Sequence, residues 1–251
     1  MKTLIAALLL ASASPALADA ATAFRDGNWP AAIAEGRVEA TPASLLLAGR
    51  AQLSVAAYQT SGKARALELI ALAERDFDAA LAKAPANAEA QLQKAIAIGY
   101  RAKLLKSRGL GKETKARMEA VKAAHPDMAL AWGAVAGWHG GAVATLGSFI
   151  AGVALGAKAK EAETGFAQAV RLDPNSPVHR TFYALTLMDL DAGNAVRAAQ
   201  VLQPIATLPA RDGFEALLKR QGIQLLAALK AGDGKAAQAL ARRLQPFGGL
   251  G

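Results

Sequence analysis

From residue 20 onward, apolar residues recur at steps of three and four, and no sustained two-residue alternation appears. That spacing puts apolar side chains on one face of a helix and predicts helices throughout. Short breaks rich in Gly, Pro, Asp and Asn interrupt the pattern. They fall near Gly27, Thr41-Pro42, Ser61-Gly62, Pro85 to Asn87, Gly109 to Gly111, Pro126-Asp127, Asp173 to Pro177, Gly193, Pro209 and Gly232. About a dozen helices joined by short loops are expected, with consecutive helices antiparallel. The clearest break reads Asp173-Pro174-Asn175-Ser176-Pro177. Pro174 stops one helix, Ser176 can cap the next, and Pro177 suits its first position. Val178, Phe182, Leu185 and Met188 then share one face.

Composition supports an all-α chain. Of 251 residues, 53% are hydrophobic and 20% charged, which excludes disorder and allows a sizeable core. About a quarter are alanine, the strongest helix former, and only 5% are aromatic. The absence of cysteine rules out disulfides, thiolate zinc sites and thiol catalysis. The net charge of +9 points to an acidic or anionic partner.

Residues 1–18 read as an exported protein's signal peptide. Lys2 supplies the positive start, Leu4 to Ala11 the apolar stretch, and Ala16-Leu17-Ala18 the small-x-small cleavage site. Cleavage is expected after Ala18, with Ala20 as the alternative, and the periplasm is the expected destination. Residues 19–251 then form the mature domain.

An internal repeat emerges when the prolines are aligned. Ala73, Phe77, Ala80 and Pro85 have the same spacings as Ala162, Phe166, Ala169 and Pro174. A small alanine allows close helix approach, the phenylalanine fills the groove between helix pairs, and the proline ends the helix. Thr114, Met118, Val121 and Pro126 keep the spacing with other residues. Partial matches begin at Gly27-Trp29-Ala32, Gly193-Ala198-Leu202 and Gly232-Ala237-Leu244. The pattern resembles the second helix of a tetratricopeptide (TPR) repeat with its closing proline. The prolines at 85, 126 and 174 give longer periods than that family's, so longer helices or inserted turns are expected. The stretch from His125 to Gly249, with its tryptophan-bearing helix and following repeat, resembles bacterial relatives of the regulator-of-microtubule-dynamics group. The resemblance implies a TPR-like right-handed superhelix of about six antiparallel helix pairs. It also implies a non-enzymatic scaffold that binds a protein segment on its concave face. Inner-helix candidates are Tyr58, Tyr100, Arg101, Trp132, Trp138, Arg180 and Tyr183.

No catalytic constellation emerges, and no cofactor is expected. His125, His139 and His179 lack metal-ligand spacing, and His139 reads as a core histidine with one hydrogen bond. Gly109-Leu110-Gly111-Lys112 fails as a phosphate loop, because Lys106 replaces the first glycine and Glu113 the Ser/Thr. Glu74 and Asp78, four apart, read as a solvated helix edge.

Two features exceed this background. Arg101, Lys103, Lys106, Arg108, Lys112, Lys115, Arg117 and Lys122 crowd one stretch, opposed only by Glu113 and Glu119. A turn at Gly109 to Gly111 would gather them into a patch for an acidic protein segment or anionic lipid. Nucleic acid is not expected, since export removes it and no aromatic interleaves the cations. The second feature is Met128 to Ala157, which carries no charge and has glycines at 133, 137 and 141. It is expected to be a central buried helix, bent or broken at Gly140-Gly141, with a membrane-embedded or membrane-touching segment as the alternative. Lining an apolar pocket would make the chain instead a lipid or small-molecule binding component of an uptake or envelope-maintenance system.

Overall fold

A computed structural model describes residues 19–250; the expected signal peptide lies outside them. Among the described residues there are thirteen α-helices and no strands, so the chain is all-α. The helices are α1 (Ala20–Arg25), α2 (Trp29–Glu39), α3 (Pro42–Tyr58), α4 (Lys63–Lys83), α5 (Ala88–Leu105), α6 (Arg108–Ala124) and α7 (Ala129–Leu146). They continue with α8 (Ser148–Leu155), α9 (Ala159–Leu172), α10 (Pro177–Leu190), α11 (Ala195–Leu202), α12 (Gly213–Lys230) and α13 (Gly234–Leu244). A 3-10 turn over Ala192–Asn194 leads into α11.

Local chemistry sets most of these boundaries. Side chains of Asn28, Thr41, Asn87, Ser107, Asp212 and Asp233 accept N–H bonds three residues on, satisfying donors that the first helical turn leaves free. Thr41 and Ser44 cap each other reciprocally.

The helices stack in pairs: α1–α2, α3–α4, α5–α6, α7–α9, α10–α11 and α12–α13. Along the α7–α9 pair, Gly133 faces Ala169, Gly137 faces Phe166 and Gly140 faces Ala162, so numbers rise on one helix as they fall on the other. The pair is antiparallel. The first helices of the pairs also touch in succession: α1 with α3, α3 with α5, α5 with α7, α7 with α10 and α10 with α12. They form one layer, and α1 meets α12. The repeated sequence positions lie in the seams. Ala73, Phe77 and Ala80 are buried, as are Ala162, Phe166 and Ala169, and Phe166 stacks on Tyr183 of the next pair. Thr114, Met118 and Val121 are buried at the degenerate positions.

Three expectations need correction. The turn expected at Gly109 to Gly111 lies earlier, at Lys106-Ser107. Lys106 turns left-handed (φ 52°) and Ser107 caps α6, so both glycines fall inside its first turns. Gly111 is buried there: Trp138 Nε1 donates to its carbonyl (3.0 Å), and a Cβ would meet Leu155 at an ordinary contact distance of 3.8 Å.

The uncharged stretch is not one buried helix. It divides into α7 and α8 at Gly147, whose φ of 76° with ψ of 155° suits only glycine. The expected break at Gly140-Gly141 is absent. Gly140 sits mid-helix, where a Cβ would lie 2.3 Å from Thr186 Cγ2, so it serves close packing with α10. Helix α8 is an insertion between the paired α7 and α9. Among the described residues, no helix is long and apolar enough to cross a membrane.

Glu74 and Asp78 are not a merely solvated edge. Glu74 Oε1 lies 3.2 Å from Arg101 Nε, and Asp78 pairs with Lys94, so both tie α4 to α5.

Candidate interaction surface

The layer of first helices holds a segment of its own chain. After α13 only Gln245 is extended (φ −63°, ψ 154°); Pro246 to Gly249 then turn, with the Gly248 N–H on Gln245 O (2.8 Å), and lie against α3 and α5. The Phe247 N–H donates to Ala57 O (2.9 Å), and Lys103 Nζ donates to Pro246 O (3.0 Å). The Phe247 ring meets Tyr100 edge-on, with centroids 5.1 Å apart. It is buried in the cluster of Leu53, Ala57, Ile70 and Phe77, with Leu250 against the same cluster. Two backbone polar groups are thus satisfied by the helices and one aromatic ring fills the space between them.

This arrangement places several sequence candidates. Tyr58 and Tyr100 pack against the same cluster as Phe247. The Tyr58 ring lies near Phe214 of α12 (6.3 Å). Its hydroxyl is buried without a hydrogen-bond partner, and burial pushes its pKa well above the usual tyrosine value. Burial raises Tyr100 likewise and lowers the Lys103 ammonium. A cleft of about 330 Å³ opens beside Tyr58, lined by Arg25, Trp29 and Arg220 among others.

The remaining candidates are spread over the array. Arg101 answers Glu74, whose carboxyl is raised by burial against the opposing pull of Arg101. Trp132 Nε1 donates to Pro126 O (2.8 Å), and Lys122 lies over its ring (5.0 Å). Lys115 lies over the Trp138 ring (5.4 Å). Tyr183 stacks on Phe166 with centroids 5.6 Å apart. Arg180 donates to the carbonyls of Pro174 and Val201. Within the basic stretch, Arg117 pairs with Glu113 (2.9 Å) and Lys122 with Glu119. Lys106, Arg108 and Lys112 are exposed.

His139 fulfils the core reading: it is buried, and its Nδ1 accepts from the Lys158 N–H (3.2 Å). The cleft beside the glycine-rich helix, about 410 Å³, has Glu163, Asp189, Asp191 and Arg242 in its wall rather than a purely apolar lining.

Sequence reasoning missed the tail. Gln245-Pro246-Phe247-Gly248-Gly249 reads as a polar-flanked end with one aromatic, and nothing local says where it docks. The signal available was Pro246, which stops α13, followed by a lone phenylalanine before two glycines.

The described residues form an all-helical array of stacked pairs in which α3 and α5 hold the tail segment. No family model matches the chain, and none of the curated proteins compared with it matches.

Proposed function

We propose that this chain is an exported, TPR-like interaction scaffold of the cell envelope that binds an extended partner segment on the inner face of a right-handed superhelix. The observation that carries the reading is the seat of Pro246–Leu250. There α3 and α5 receive a non-helical segment through one backbone hydrogen bond at Ala57, one side-chain bond from Lys103 and one aromatic contact at Tyr100. An inner face able to hold this segment in cis has what a partner segment needs: an apolar slot and polar groups aimed at its backbone. The tail would then be a resident that a partner displaces. The repeat spacing and the six stacked pairs support the TPR-like class, and the apolar N-terminal stretch with Ala16-Leu17-Ala18 supports export to the periplasm.

The test is a binding titration in trans. A fluorescent peptide with the sequence of residues 244–251 is added to the full chain and to its Phe247→Ala variant. The variant should bind the peptide more tightly than wild type, and a peptide carrying alanine for phenylalanine should not bind. Equal, negligible binding to both proteins by a well-folded variant would remove the reading.

A further inference from the structure

Helix α8 presents an unpaired apolar face. Phe149, Ile150 and Val153 are 82%, 52% and 77% exposed. They share one side of the helix, while Ala151 and Leu155 turn inward toward α6 and α7. Isolated apolar residues on a surface need no explanation; three large ones on one uncharged helix do.

Cations lie on the elements next to this helix. Arg108, Lys112 and Lys115 fall on one stripe of α6, at spacings of four and three, next to the Gly111 that touches Leu155. Lys115 Nζ reaches 3.5 Å from where a Cβ on Gly156, the residue ending α8, would stand. Beyond α8 the chain leaves through Lys158 and Lys160, both exposed. Among the described residues, none of these five cations lies in a salt bridge. The nearby acids Glu113 and Glu119 are engaged by Arg117 and Lys122, which leaves Glu161 as the exposed acid beside Lys158 and Lys160.

We infer that the α8 insertion is a membrane-docking element, which seats Phe149, Ile150 and Val153 in the headgroup region of an anionic bilayer while the flanking cations meet lipid phosphates. A short apolar face alone or a few cations alone bind a bilayer weakly; the two together supply the dual signal that stable interfacial attachment needs. Among the described residues no helix is long and apolar enough to cross a membrane, which fits a face that lies on the surface rather than across it. A second copy of the chain is a poorer occupant. A two-fold contact through α8 would bring Lys112, Lys115, Lys158 and Lys160 against their own copies, with like charges facing. The docking is independent of the tail-binding face, which involves α3 and α5.

The test is vesicle flotation with the full chain and its variants, compared in parallel so that the first 18 residues are common to all. Vesicles are phosphatidylcholine alone or phosphatidylcholine with phosphatidylglycerol. Wild type should float with the anionic vesicles and much less with the neutral ones, and added salt should weaken it. Phe149→Ser/Val153→Ser should lose about tenfold in partitioning, and Lys112→Glu/Lys158→Glu a comparable amount. All four positions are exposed, so folding should persist, as circular dichroism can verify. Equal flotation by wild type and the Phe149→Ser/Val153→Ser variant would overturn the inference. So would binding indifferent to lipid charge, or a wild-type dimer in vesicle-free buffer that the same variant abolishes.

Discussion

Arg50 and Asp212, 162 residues apart in the chain, meet with Nη2 and Oδ2 3.2 Å apart. Arg50 stands on α3 and also reaches Glu89 at the start of α5 (3.3 Å), with its guanidinium 4.5 Å over the Phe24 ring of α1. Asp212 is the cap of α12, where it also accepts the Glu215 N–H. One half-buried arginine therefore joins the first pairs of the array to the last.

Arg50→Ala should destabilise the fold by about 1–2 kcal/mol, since it removes two ion pairs and a cation–π contact that are partly shielded from water. Denaturant unfolding should show a lower midpoint. The difference from wild type should shrink in high salt, because part of the loss is screened charge.

Gly140 and Gly141 are neighbours on α7 that should respond oppositely to alanine. A Cβ on Gly140 would lie 2.3 Å from Thr186 Cγ2, whereas Gly141 has open space around it. Gly140→Ala should cost roughly 1–3 kcal/mol through overpacking. Gly141→Ala should stabilise by up to about 1 kcal/mol through helix propensity. Thermal unfolding of the two variants checks the sign of each.

Arg37 and Asp76 form a two-pronged pair, Nε to Oδ1 at 2.9 Å and Nη2 to Oδ2 at 2.8 Å, with Gln52 accepting from the same Nη2 (3.2 Å). Asp76 is only 6% exposed. Arg37→Ala would strand its charge and should cost roughly 3 kcal/mol. Arg37→Ala/Asp76→Ala should recover part of that, which a double-mutant cycle would measure.

His179 is buried against Gly133, and burial lowers its pKa from 6.5 to about 4. The folded state therefore holds it neutral where the unfolded state would protonate it. Stability should be complete above about pH 6.5 and fall as pH drops toward 4, by an amount on the order of 3 kcal/mol. His139 shifts in the same direction, with burial the main cause. Unfolding midpoints measured across this range should show the slope, and His179→Gln should flatten it.

Much of the array was legible in the sequence because its causes are local. Thr41-Pro42, Asn87, Pro177 and Gly232 act on the turns next to them, and the Ala-Phe-Ala spacing marks seam positions wherever helices pair. The misplaced turn at Gly109 to Gly111 shows the limit. Glycine there reads as a break, yet the chain turns at Lys106-Ser107, where a left-handed lysine and the Ser107 cap start α6, and both glycines are helical. The uncharged stretch misled for the same reason: absence of charge reads as burial, and only the pairing of α7 with α9 leaves α8 outside the core.

The sequence by itself determined the all-α class, most helix boundaries and the buried seam residues, since capping, helical periodicity and side-chain size operate within a few residues. The tertiary structure alone decided that α1 meets α12, that Phe247 fills the space beside Tyr100, and that Phe149, Ile150 and Val153 face water beside unpaired cations. Those relations join positions that no local propensity couples, and they arise from how successive helix pairs pack on one another to bury their seams.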